Sequence, residues 1–260
     1  MRIATWNING VKARIASLLT WLRTAEPDIV CLQEIKTVDE SFPRLEIESL
    51  GYNVATHGQK GFNGVAILSK RPIEDVSRGL TGDPDDPQAR YIEAVIPVGG
   101  RIVRVGGLYL PNGNPIGGDK FAYKLAWLDR LEAHARVLLA LEEPLVLCGD
   151  FNIIPEAEDA KMPAAWVNDA LFQPESRRAW RRLLALGLTD AVRAVHPQAG
   201  VYTFWDYQAG AWQKDNGIRI DHLLLSPSAA DRLVDAGVDR TPRGWEKPSD
   251  HTPAWVELQL

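Results

Sequence analysis

The chain has 260 residues, 45% apolar and 24% charged, with a formal charge of −5. These fractions belong to an ordinary soluble globular protein and exclude a fibrous repeat, a disulfide scaffold and a disordered chain. The acidic balance also argues against a partner held mainly through its phosphates, because such proteins usually carry a basic excess.

Short apolar runs alternate with helical patterns along the whole chain. Expected strands are 3–7, 28–33, 52–56, 64–69, 91–98, 103–110, 145–149, 220–225, 233–238 and 254–258. Val11, Ile15, Leu18, Leu19 and Leu22 recur at helical spacing and stop before Pro27, and Phe121, Leu125, Leu128, Leu131 and Ala135 mark a second, longer amphipathic helix. The strands at 52–57 and 64–70, and those at 90–98 and 101–110, are joined by Gly-rich stretches and read as antiparallel hairpins. Mixed pairing of this kind predicts two sheets packed face to face with helices outside. No linker, composition shift or fixed-period repeat divides the chain, so residues 1–260 read as one domain; the stretch from Thr81 to Pro87 is an exposed loop.

Cys31 and Cys148 lie inside apolar runs and read as buried, inert thiols of a reducing compartment. The N-terminus turns polar at Asn7, lacks the apolar core of a secretory signal, and no run reaches the ~20 apolar residues needed to cross a bilayer. A cytoplasmic protein without a membrane partner is the expectation.

The polar residues fall at strand boundaries. Asn7, Glu34, Tyr109 with Asn112, and Asp150 with Asn152 follow expected strands, while Asp221 opens one and Asp250-His251 precedes the last. Each alone passes for a turn or cap residue. Together they fit a site built from loops along one sheet edge. Glu34, Asp150, Asp221 and Asp250 offer hard oxygen ligands with no CxxC and no paired histidines, which favours Mg²⁺ or Mn²⁺ over a structural zinc. Four acids exceed what one Mg²⁺ needs, leaving some to orient water or a histidine, and that combination points to phosphate-ester chemistry.

The motifs Trp6-Asn-Ile-Asn-Gly10, Leu32-Gln-Glu-Ile-Lys36, Gly64-Val-Ala-Ile-Leu-Ser69, Tyr109-Leu-Pro-Asn112, Gly149-Asp-Phe-Asn152, Tyr202-Thr-Phe-Trp205, Arg219-Ile-Asp-His222 and Ser249-Asp-His251 resemble, in order and spacing, the signature of the exonuclease III family of apurinic/apyrimidinic endonucleases. The resemblance implies a DNase I-like four-layer α/β sandwich. It implies a monomer that binds double-stranded DNA at abasic sites or 3′ ends, cutting 5′ to the lesion and trimming or dephosphorylating 3′ ends. Glu34 would be the main metal ligand, with Asn7, Asp150, Asn152, Asp250 and His251 around the metal. Asp150 would activate water, Asn7 and Asn152 would hold water or phosphate, Tyr109 would donate to a phosphate oxygen, and Asp221 would orient His251 against the scissile phosphate.

By the same resemblance, Lys36, Arg90 and Asn112 touch phosphates, and Phe204, Ile218 and Ile220 form an apolar pocket for a flipped, base-less sugar. Trp205 keeps a core reading. Animal relatives carry a tryptophan at the position of Ile218 and an aspartate at that of Asn9, so this chain follows the bacterial pattern. The cluster Ser176-Arg-Arg-Ala-Trp-Arg-Arg182 is read as a solvated helix face before it is read as a DNA contact. Two other readings stand beside this one: a phosphatase or phosphodiesterase of the same superfamily acting on a lipid head group or RNA, for which no recruitment segment is visible, and a binding module that has lost catalysis, against which the intact acid, amide, Tyr and His set argues.

Overall fold

The computed structural model describes residues 1–260. Its strands are β1 (Arg2–Asn7), β2 (Ile29–Gln33), β3 (Asn53–His57), β4 (Val65–Ser69), β5 (Glu74–Arg78), β6 (Tyr91–Val98), β7 (Arg101–Tyr109), β8 (Leu145–Asp150), β9 (Thr189–Asp190), β10 (Asp221–Leu225), β11 (Leu233–Val238) and β12 (Ala254–Leu258). They form two six-stranded mixed sheets, ordered β11-β12-β1-β2-β4-β3 and β5-β6-β7-β8-β10-β9. Both expected hairpins, β3–β4 and β6–β7, pair antiparallel. Two strands had not been expected. β5 is an exposed, charged edge strand with an irregular register, and β9 has only two residues.

The inner faces of the two sheets meet in one apolar layer that includes Ile3, Ile29, Val65, Ile92, Val105, Val146, Leu223 and Val256. Alternate residues of the same strands face outward beneath helices. The helix Ile15–Ala25 (α1) lays Leu18, Trp21 and Leu22 over Trp6, Val30 and Leu32 of the first sheet. The helices Asp119–Leu139 (α2) and Pro174–Ala185 (α3) lay Trp127, Leu131, Trp180 and Leu183 over Leu108, Leu147 and Leu224 of the second. The result is the four-layer α/β sandwich the resemblance implies. Because β1, β2, β4 and β8 are covered on both faces, their sequences are continuous apolar runs, as sheets buried on both faces require. α1 ends at Glu26, which takes a left-handed φ of 46° just ahead of Pro27.

Cys31 and Cys148 are both fully buried in the layer between the sheets, as expected. Three of the four arginines of α3 are answered within the chain. Arg177 and Arg181 pair with Glu156, and Arg182 with Asp129 and Glu132.

Candidate active site

Strand direction decides where the polar residues go. β1 and β2 are parallel, as are β7 and β8, so Asn7, Glu34, Tyr109 and Asp150 emerge at one edge of the sandwich. β10 and β12 run antiparallel to their neighbours, so the residues that open or precede them, Asp221 and Asp250-His251, come to the same edge. In register, Asp150 lies between Tyr109 on one side and Asp221 on the other.

Asn7 ties the two sheets together. Its buried amide donates to Glu34 Oε1 at 2.9 Å and to Asp150 Oδ2 at 3.0 Å, and its Oδ1 accepts from the Asn9 backbone at 3.0 Å. Ser249 Oγ donates to the Asn7 carbonyl at 2.7 Å and accepts from the His251 amide at 3.2 Å, which fixes the last loop against β1. Asp250 Oδ1 accepts from Asn9 Nδ2 at 3.0 Å.

His251 is buried with Nδ1 2.8 Å from Asp221 Oδ2 and Nε2 3.6 Å from Asp150 Oδ2. Its Nδ1–H donates to the carboxylate, so the other ring nitrogen faces Asp150. Burial alone would depress the imidazolium, but Asp221 and Asp150 overcome it and push the pKa up to about 10. Asp150 moves the other way from an ordinary carboxyl: burial pushes it up to about 7, against the pull of His251. The Asn152 amide donates to Asp150 Oδ1 at 2.9 Å, and Asn152 Nδ2 to the Leu110 carbonyl at 2.8 Å. Tyr109 is held well above the usual phenol range by burial and then by Glu34 and Asp150, so it stays a neutral donor.

Asn9, Glu34, Lys36 and Asn152 all have φ near +50°, uncommon for residues with side chains. Four such positions around one site put local strain where the side chains must be aimed.

The donor set fits a hard divalent cation. Asp150, Asp221 and His251 bring ligand atoms within 4.8 Å of one another, Glu34 and Asp250 flank them, and Asp221 Oδ1 is buried with no hydrogen-bond partner. Glu34 lies below the usual carboxyl range: burial would raise it, but Lys36 and Asn7 lower it, with Lys36 Nζ 2.8 Å from Glu34 Oε2. Lys36, expected on phosphate, is thus paired with Glu34 and also donates to Asn9 Oδ1 at 2.6 Å.

Arg90 lies with its guanidinium 4.8 Å from the Tyr109 ring centroid and makes no ion pair, and Asn112 Nδ2 reaches Asn152 Oδ1 at 3.4 Å. Phe204 is bridged to both Ile218 and His251, and its ring lies 5.0 Å from the imidazole. Ile218 and Ile220 pack with Ile154, Ala160 and Leu171, so the apolar cluster abuts the histidine. Trp205 is fully buried beside Tyr202 and Ala211, in keeping with its core reading.

Two residues were given no role by the sequence. Lys124 of α2 is fully buried and donates to the carbonyls of Asn112 at 3.1 Å and Asn152 at 2.5 Å, clamping two site loops. Burial pushes its pKa down to about 7, partly offset by Asp150 and Asp169. Arg219 is buried against Asp159 at 2.7 Å and Asp190 at 2.8 Å, which fixes the backbone between Ile218 and Asp221. A cation in an otherwise apolar helical stripe was the only available signal for Lys124.

Comparison with known proteins agrees with this geometry. The pattern of the endonuclease/exonuclease/phosphatase family matches residues 4–251. The chain is 35% identical over 267 aligned residues to exodeoxyribonuclease III of Haemophilus influenzae, covering all of both chains. Among solved structures it superposes on a Neisseria 3′ phosphatase bound to a product DNA hairpin with a TM-score of 0.96 at 39% identity, and on an AP endonuclease from Archaeoglobus fulgidus with a TM-score of 0.94 at 39% identity, each with full coverage of both chains.

Proposed function

The chain belongs to the endonuclease/exonuclease/phosphatase family, and from that membership we propose that it is a DNA repair phosphodiesterase: it cuts double-stranded DNA 5′ to abasic sites and removes nucleotides or phosphate from 3′ ends. The names of its relatives, an exodeoxyribonuclease III, a 3′ phosphatase and an AP endonuclease, support this range. The observation that carries it is Asp150, a buried carboxylate with a pKa near 7, placed 3.6 Å from a histidine whose other face meets the Phe204 cluster. In this reading the whole chain acts as one catalytic domain, as a monomer, in the cytoplasm.

Asp150 is held by Asn7 on one oxygen and by the Asn152 amide on the other, leaving lone pairs for a water proton. A general base titrating near neutrality combines correct protonation with driving force for proton transfer. The oxygen of that water bonds to phosphorus, the P–O3′ bond breaks, and the 3′ oxygen leaves and takes a proton from solvent water to become a hydroxyl. Charge growing on the non-bridging oxygens is met by the His251 imidazolium, kept charged by Asp221, by the Tyr109 hydroxyl and by the remaining N–H of the Asn152 side chain. Glu34, with Asn7 and Asp250 nearby, would hold Mg²⁺, with Mn²⁺ as a substitute. When bound, the ion supplies Lewis-acid charge neutralisation at the phosphate. Phe204, Ile218 and Ile220 would receive the base-less sugar, whose extrusion forfeits no base pairing.

The test offers duplexes bearing one abasic analogue, a recessed 3′ end or a 3′-phosphate side by side with Mg²⁺, Mn²⁺ or EDTA. Incision 5′ to the analogue and 3′ processing with metal, and neither with EDTA, is expected. No cleavage of any duplex with metal rejects the proposal.

A further inference from the structure

A second concavity opens on the same edge, beside Tyr109. Its volume is about 300 Å³ and its lining is mainly polar, with His57, Arg78, Arg90 and Arg130 contributing the cationic groups. The topology places it. His57 closes β3 and is in register, through Val65, with Gln33, which precedes Glu34. Arg78 closes β5 and pairs with Ile92, beside Tyr91, which is opposite Leu108 and one residue from Tyr109. Arg78 Nε donates to the Thr56 carbonyl at 2.7 Å, so the cavity bridges the first and second sheets as the catalytic cluster does.

The charges in this cavity are unevenly spent. Asp86 is answered by Arg130 at 2.8 Å and by the Tyr123 hydroxyl at 3.0 Å, and Asp83 at the rim accepts from the Asp85 amide at 3.2 Å. Arg78 and Arg90 have no carboxylate partner, and Arg78 commits only its Nε to the protein. Burial depresses the charged form of His57, while Asp39 pulls it up by more than the nearby Arg78 pushes it down. Arg90 belongs to both places, lining the cavity while lying 4.8 Å over the Tyr109 ring.

We propose that this cavity is a second phosphate subsite, in which Arg78, Arg90 and His57 hold a phosphodiester of the same DNA strand near the scissile one. The proposal rests on the nuclease reading. With ~3.4 Å of rise per nucleotide, a strand passing Tyr109 comes within reach of Arg78 after about two or three nucleotides. The subsite would give an acidic chain a local cationic grip on one DNA strand.

The test is Arg78→Gln in the full-length protein, at an exposed position outside the catalytic cluster, with Arg78→Lys as the charge-conserving control. Binding of an abasic duplex is measured in EDTA across a salt series, and incision with Mg²⁺ on duplexes shortened one nucleotide at a time on either side of the lesion. Loss of one phosphate contact predicts a log–log salt slope lower by about one and roughly fivefold weaker binding. KM should rise accordingly with kcat unchanged, Arg78→Lys should recover most of the loss, and the difference from wild type should vanish once one side is trimmed past the subsite. An unchanged salt slope, or a deficit that persists on every shortened duplex, overturns the proposal. So does inhibition by free inorganic phosphate that depends on Arg78 while the deficit is independent of length, since that assigns the cavity to a free anion. If wild type cleaves no duplex yet Arg78→Gln weakens binding with the reduced slope, the nuclease reading fails and the subsite stands.

Discussion

Replacing Asp221 by Asn tests the electrostatic centre of the site with little change of shape. Asp221 is fully buried, its Oδ2 is 2.8 Å from His251 Nδ1, and it is the main group holding the imidazolium pKa near 10 against burial. An opposite charge at this distance is worth roughly 1–3 pKa units, so without it His251 should titrate about that much lower. The amide can still bond the ring, but it favours a neutral imidazole with less charge to offer the phosphate. Removing one such preorganised stabiliser typically costs about 10²–10³ in kcat, or ~2.7–4 kcal/mol. Steady-state incision of an abasic duplex at saturating Mg²⁺, followed from pH 6 to 10, should show that loss in kcat with KM within about threefold, since ground-state contacts to DNA are untouched. The alkaline limb of the profile should move down in pH, because the charged form is the active one and is lost as pH rises through the folded pKa. A loss below tenfold with an unmoved alkaline limb refutes the assignment of charge stabilisation to His251.

Asp150→Asn should lower kcat by at least about 10² in the same assay, the usual cost of losing a general base, and erase the acidic limb of the pH profile; a smaller change would exclude Asp150 as the base. Another expectation concerns stability far from the site. Glu93 of β6 is buried, receives the Tyr91 hydroxyl at 2.6 Å, Arg104 at 3.0 Å and His134 at 2.8 Å, and lies below the usual carboxyl range because these partners outweigh the opposing effect of burial. Its stabilisation is present above the unfolded carboxyl pKa of about 4.3 and is lost as pH falls through the lower folded value. Urea unfolding should find Glu93→Gln roughly 1.5–3 kcal/mol less stable at pH 7, with the gap narrowing at acid pH; a gap independent of pH would contradict the carboxylate's role.

How much of the site could be read in the sequence follows from how each residue is buried. Parallel strands covered on both faces appear as apolar runs that end abruptly in a polar residue, so Asn7, Glu34, Tyr109 and Asp150 announce themselves. Asp221 and His251 required the further step of knowing that β10 and β12 run the other way. β5 was invisible because an exposed edge strand has no apolar face to alternate. Lys124 was masked by the convention that a lysine on an amphipathic helix faces water. Only the crossing of two loops over α2 supplies the carbonyls that hold it. Lys36 was expected on phosphate, whereas left-handed backbone at both Glu34 and Lys36 accompanies their side-chain pairing, a feature no spacing rule exposes. The arginines of α3, read first as a solvated helix face, are largely answered within the chain, for three of the four are paired with acids from other segments or from α2.

In the proposed reaction this strand edge hydrolyses a phosphodiester with water activated at Asp150. Single-turnover incision of an abasic duplex in ¹⁸O-labelled water, with both new termini weighed by mass spectrometry, tests it most directly. The account predicts a 3′-hydroxyl on the upstream fragment and one ¹⁸O in the 5′-phosphate attached to the abasic sugar. An unlabelled phosphate with an unsaturated sugar left on the 3′ end would mean elimination at the sugar, and would contradict the account.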